Sequence, residues 1–177
     1  MMLDDLDRDG EAEIIIIVSL AGASCCTTLS IAYFDEPTQS YITTDDLWRK
    51  YTLGFDMIDL NRDGVIEFRT LNESFNSALG GASIVSFFSP LQIFSYSDGQ
   101  LVEVTAQFPE LVDDHAQHWR TDEELFCDIY AAGAYLAEMY LLNKGEQGWQ
   151  ILEEACTLPQ EDIKRIEDAL QSFNYAP

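Results

Sequence analysis

The sequence predicts an α+β fold: an antiparallel β half made of two blade-like repeats, followed by a small helical unit. Three observations carry this. Residues 13–18, 27–34, 65–70 and 91–96 are short runs rich in β-branched and aromatic side chains, set off by Gly, Pro and Asp. An acidic pattern, Asp5 to Glu13, returns at Asp59 to Glu67. From Pro109 onward the apolar residues recur at helical spacing. The expected division is a duplicated β region over 1–108 and a helical region over 109–177, packed on it.

In chain order, Glu13-Ile-Ile-Ile-Ile-Val18 reads as a strand buried on both faces. Ala21 to Ser24 breaks it, Thr27 to Phe34 forms a second strand, and Ser40 to Thr44 forms a short partner beyond the turn at Pro37. Tyr51 to Ile58 leads into the second acidic stretch and Val65 to Thr70 leaves it. Leu79-Gly80-Gly81-Ala82-Ser83 echoes Leu20-Ala21-Gly22-Ala23-Ser24, which suggests a duplication with a period of roughly 50–60 residues. Leu91 to Tyr96, the turn Ser97-Asp98-Gly99, and Gln100 to Thr105 read as a hairpin.

Pro109 suits the first turn of a helix reaching Trp119. Thr121 and Glu124 form a capping box ahead of one long helix to about Asn143, with Leu125, Ile129, Leu136 and Tyr140 near one face. Lys144-Gly145 stops it. A shorter helix carries Trp149, Leu152 and Ala155, and Pro159 opens a last one with Ile163, Ile166, Leu170 and Phe173. These stripes read as core.

Composition narrows the function classes. The chain has 177 residues, 47% of them apolar, so a sizeable core is available. Its net charge of −23 disfavours nucleic acid and anionic membrane surfaces, which need basic patches. The longest apolar run, Ile14 to Leu20, is too short to span a bilayer, so no membrane insertion is expected. No secretory signal opens the chain. Cys25 and Cys26 are adjacent, and Cys127 and Cys156 lie far from them, without metal-ligand spacing; adjacent cysteines rarely bridge each other, so a disulfide would have to reach Cys127 or Cys156, and buried thiols are favoured over that alternative.

The acidic stretches carry the chemistry. Asp5, Asp7 and Asp9 alternate, Gly10 permits a sharp turn, and Glu13 closes the set. With the carbonyl of Glu11, these oxygens make a cage of the type calcium prefers. The second copy uses Asp59, Asn61, Asp63, the carbonyl of Val65, and Glu67. Two Ca²⁺ sites are therefore expected, the second weakened by the neutral Asn61. Mg²⁺ suits the pattern less, since it retains more water. An EF-hand would need a bidentate Glu at loop position twelve, where Ile16 and Thr70 stand instead. Arg8 and Arg62 are not ligands and are expected to point outward.

Asp-x-Asp-x-Asp-Gly-x-x-Glu followed by a hydrophobic strand resembles the calcium loop of FG-GAP and VCBS repeats, which form blades of integrin-type propellers and of bacterial surface proteins. The resemblance covers the two loops and their strands, and two such repeats are too few to close a propeller. It implies calcium ligation by Asp5, Asp7, Asp9 and Glu13 and by Asp59, Asn61, Asp63 and Glu67, with the carbonyls of Glu11 and Val65.

Nothing in the sequence carries a catalytic motif, and His115 with His118 reads as a surface pair. Two function classes follow. One is a noncatalytic calcium-stabilised module for adhesion, assembly or scaffolding, with a protein partner or self-association. The other is an enzyme or enzyme accessory with structural calcium and an active site between sheet and helical tail. An exposed apolar patch favours the first; a cleft of converging polar groups favours the second. Loops of moderate affinity stay filled where calcium is plentiful, so an extracellular or periplasmic location is expected. The first loop has only Met1-Met2-Leu3 ahead of it, so its entering strand is expected from further upstream, from a neighbouring chain or from the helical tail.

Overall fold

The computed structural model describes residues 1–19, 27–50, 55–81, 88–97, 99–121 and 123–177. The chain is α+β, with two antiparallel four-stranded sheets and a set of helices. The first sheet has the order β1 (Met2–Asp4), β2 (Glu13–Ser19), β3 (Thr27–Asp35), β4 (Ser40–Lys50). The second is β5 (Asp56–Ile58), β6 (Glu67–Leu71), β7 (Leu91–Ser97), β8 (Gln100–Glu103). Helices α1 (Glu73–Ala78), α2 (Pro109–Trp119), α3 (Glu123–Phe126), α4 (Ile129–Leu141), α5 (Gly145–Ala155) and α6 (Gln160–Ser172) complete the fold.

Two compact units emerge. One gathers Met1–Thr70 and Ile93–Val104, the other Leu71–Gln92 and Thr105–Pro177. The chain thus leaves the strand-rich unit after Thr70 and returns at Ile93, and α1 belongs with the helices rather than with the strands that flank it.

In the first unit, Leu6, Ile15, Leu29, Ile31, Phe68 and Tyr96 form a buried core, with Phe55, Met57, Ile66, Phe94 and Leu101 packed against it. Both sheets contribute. Burying such side chains is the main source of stability, about 1.5–3 kcal/mol for each large one.

Several expectations need correction here. The first loop does have an entering strand: β1 pairs antiparallel with β2, matching Met2 with Ile15 and Asp4 with Glu13. Three residues carry no periodic signal, and only the neighbouring strand makes them extended. Strand β2 is not buried on both faces, since Ile17 and Val18 are exposed. The partner strand begun at Ser40 continues to Lys50, with a register shift opposite Leu29 and Ile31. Of Tyr51 to Ile58, only Asp56–Ile58 is strand among the described residues. The hairpin β7–β8 forms as expected, with Tyr96 opposite Leu101, but ends at Glu103; Thr105–Gln107 is a 3₁₀ turn. Ala21 to Ser24, Cys25, Cys26 and Ala82-Ser83 lie outside the described residues.

In the second unit α4 is central, buried from Ala131 to Met139, with α2, α5 and α6 packed on it. The expected long helix is broken. Asp128 caps α4 by accepting a hydrogen bond from the Tyr130 N–H at 2.9 Å, and the Thr121 hydroxyl donates to the His118 carbonyl at 2.7 Å. Helix α4 ends at Leu141, and Asn143, with φ of 58°, makes a Schellman closure: Lys144 N–H reaches the Met139 carbonyl at 2.8 Å, and Asn143 N–H that of Tyr140 at 2.9 Å. The expected thiols of Cys127 and Cys156 are instead a disulfide, with Cα atoms 5.4 Å apart. Their proximity depends on how α5 folds back along α4, which no local pattern reveals.

Candidate metal centre

Both acidic stretches connect antiparallel strands, and both do so in one register. Asp4 stands opposite Glu13 across β1 and β2, and Ile58 opposite Glu67 across β5 and β6. The hydrogen bonds repeat as well. Gly10 N–H donates to Asp5 at 3.2 Å, and Gly64 N–H to Asp59 at 2.9 Å. Glu11 N–H donates to Asp9, and Val65 N–H to Asp63, each at 2.8 Å. Leu6 N–H donates to Glu13, and Leu60 N–H to Glu67, again each at 2.8 Å. Even the backbone agrees: Arg8 and Arg62 have φ near 61° and 62°, and Gly10 and Gly64 have φ of 95° and 86°. The glycines take a conformation that side chains strain.

The two loops differ in how their oxygens converge. In the first, Asp5, Asp7 and Glu13 each bring a carboxylate oxygen within 4.8 Å of the others. Ligands on opposite sides of a calcium ion lie about 5 Å apart, so one ion reaches all three. The Oδ1 atoms of Asp5 and Asp7 are buried without a hydrogen-bond partner among the described residues. Glu13 is only 3% exposed. Burial, with the charges of Asp9 and Asp5, pushes the Asp7 carboxyl above its usual range. Burial also raises Glu13, against the opposing Leu6 N–H, with Asp7 and Asp9 adding to the rise. Such crowding is what a divalent cation relieves. Asp9 is exposed and bound to the Glu11 N–H, and its carboxylate is not among the convergent three.

The second loop is held by its own backbone. Asp59 accepts from both Asp63 N–H (3.1 Å) and Gly64 N–H, and Asn61 accepts from Asp63 N–H at 3.0 Å. The Asn61 amide also donates to Asp63 at 2.8 Å. The Val65 N–H, the Asn61 amide and the charge of Arg8 hold Asp63 below its usual range. Burial raises Glu67, which the Leu60 N–H opposes. Among the described residues, Asp59, Asp63 and Glu67 form no carboxylate group as close as that of the first loop.

Arg8 is exposed, yet its guanidinium also lies against Gly64 of the second loop. Sequence reasoning missed this contact and also missed Tyr96. The Tyr96 hydroxyl is buried and acted on by the charges of Glu13 and Asp7. Its apolar hairpin context reads as core, so no local signal pointed to it.

The histidines do other work. His115 Nδ1 meets Glu138 Oε1 at 2.5 Å, where Leu91 N–H also donates at 2.8 Å, and Trp119 Nε1 donates to Oε2 at 3.0 Å. Glu138 is wholly buried, and burial raises its pKa despite these partners. His118 is exposed and lies edge-on to Trp119. No helix among the described residues is long and apolar enough to cross a membrane. Comparison with protein-family models, with curated proteins and with solved structures finds no match.

Proposed function

We propose that the strand-rich unit is a noncatalytic, calcium-stabilised interaction module, built on two blade-like repeats whose ion loops rigidify β hairpins. The observation that carries this reading is the convergence of Asp5, Asp7 and Glu13 around buried, unpartnered carboxylate oxygens. An anion cluster of this kind destabilises the empty loop, and a bound cation converts that penalty into folding free energy. The second loop, already satisfied by its own N–H groups and carrying Asn61, is the weaker site.

An interaction role has separate support. On one face of the first sheet Leu3, Ile14, Ile16, Val18, Phe34 and Tyr41 stand beside the buried Ala32 and the polar Thr28, Ser30 and Thr43. Leu3 is 68% exposed, Val18 47% and Tyr41 52%. Exposed apolar side chains on this mixed face fit a protein partner or self-association. The Cys127–Cys156 disulfide fits an oxidising, calcium-rich compartment outside the cytosol.

The test is thermal melting of chelator-stripped protein with and without added calcium. Melting temperature rises with calcium in the wild type, and the rise is largely lost in a variant carrying Asp7→Ala with Asp63→Ala. Identical melting curves with calcium and with chelator would sink the reading.

A further inference from the structure

Tyr96 sits on β7, in the second sheet, with its side chain 1% exposed. Its ring belongs to the buried core that also holds Leu6 and Ile15. Leu6 lies between Asp5 and Asp7, so this core is the floor of the first loop. The Tyr96 hydroxyl is buried and has no hydrogen-bond partner among the described residues, as is true of the Oδ1 atoms of Asp5 and Asp7. A buried hydroxyl without a partner is unfavourable, and the rest of this core is apolar. The charges nearest in effect are those of Glu13, Asp7 and Asp9 on the loop, with Tyr33 on β3. A tyrosine hydroxyl is protonated and neutral at physiological pH. A neutral phenol offers lone pairs to a cation and a proton to a carboxylate at once.

Resting on the calcium reading above, we propose that Tyr96 is part of the first ion site, its hydroxyl oxygen facing the cation directly or through one water. The ion then ties β7 of the second sheet to the loop between β1 and β2 of the first. It does more than stiffen one hairpin: it clamps two sheets that share a core. A residue remote in sequence from the acidic pattern completes its oxygen shell.

The test uses the full chain with Asp59→Ala and Asp63→Ala, so that calcium uptake reports on the first loop, and compares it with the same chain carrying Tyr96→Phe. Phenylalanine keeps the ring packing and removes only the hydroxyl. Calorimetric titration with calcium is expected to show affinity about tenfold weaker in the Phe variant, the usual scale for losing a supporting group at a metal site. Melting in excess chelator is expected to be unchanged or slightly raised by the substitution, because an unpartnered buried hydroxyl has gone. Equal calcium affinity in the two chains overturns the role of Tyr96 while leaving the calcium reading intact. An equal loss of melting temperature with calcium and with chelator also overturns it, since that marks a purely structural hydroxyl. Absence of calcium uptake by the parent chain overturns both.

Discussion

The guanidinium of Arg8, on the first acidic loop, fills the space that a β-carbon on Gly64 of the second loop would need. Glycine at position 64 answers a positive φ of 86°, and the exposed tip of Arg8 lies against it. Arg8 also helps hold Asp63 ionised. The two loops are neighbours, joined by a cation that belongs to neither ligand set.

Replacing Gly64 or Gly10 by Ala is expected to cost a similar amount, about 1–2 kcal/mol for the left-handed backbone. At Gly10 an added β-carbon meets nothing within 4 Å; at Gly64 it meets only the tip of Arg8, an exposed and flexible side chain that can turn aside. Arg8→Ala in the Gly64→Ala background should therefore change little. Urea unfolding of the single and double variants checks this, and a markedly larger cost at Gly64 that Arg8→Ala relieves would refute it.

Asp7→Asn is expected to act in opposite directions with and without the ion. In chelator it relieves a carboxylate that burial and its acidic neighbours already disfavour, so the melting temperature holds or rises. With calcium at a hundred times its dissociation constant, the wild type gains about 2.7 kcal/mol, and the variant forfeits most of that. Differential scanning calorimetry in both conditions measures the crossover.

Glu138 makes a prediction about pH. Its pKa is raised in the folded chain from an ordinary value of 4.5. Below that value both folded and unfolded forms hold the proton, and the group has no effect. As pH rises above 4.5, the unfolded chain releases its proton first, so this group's contribution to stability falls until the folded carboxyl also ionises. Glu138→Gln should flatten that slope in a plot of unfolding free energy against pH. Glu138→Ala is expected to cost about 3–5 kcal/mol by stranding the Leu91 N–H, the Trp119 indole N–H and His115.

The Cys127–Cys156 bridge closes a segment of 29 residues. Removing it with the double Cys→Ser variant, or by reduction, is expected to lower stability by about 3–4 kcal/mol through the freed unfolded chain. Hydrogen exchange should show the loss concentrated in α4 and α5. Unchanged protection there would argue against the bridge as a stabilising element.

Much of the helical unit was legible, because Ile163, Ile166, Leu170 and Phe173 recur at helical spacing, and Ile166 and Leu170 are indeed buried. The helix expected to run unbroken to Asn143 is divided at Asp128, whose carboxylate accepts from the Tyr130 N–H; an acidic residue inside a run of helix formers does not by itself mark a break. Strand β1 was missed since three residues are too few to carry a pattern.

The sequence by itself determined the α+β class and the two acid-and-glycine loops, because helical spacing, β-branched runs and alternating carboxylates around a glycine are local chemistry. Only the tertiary structure decided which oxygens meet. It brought Asp5, Asp7 and Glu13 together and left Asp9 outside, set Tyr96 in the core with Leu6 and Ile15, and laid Arg8 against Gly64. Those relations depend on strand pairing and on packing between sheets, which join residues far apart along the chain and leave no mark in the spacing of either partner.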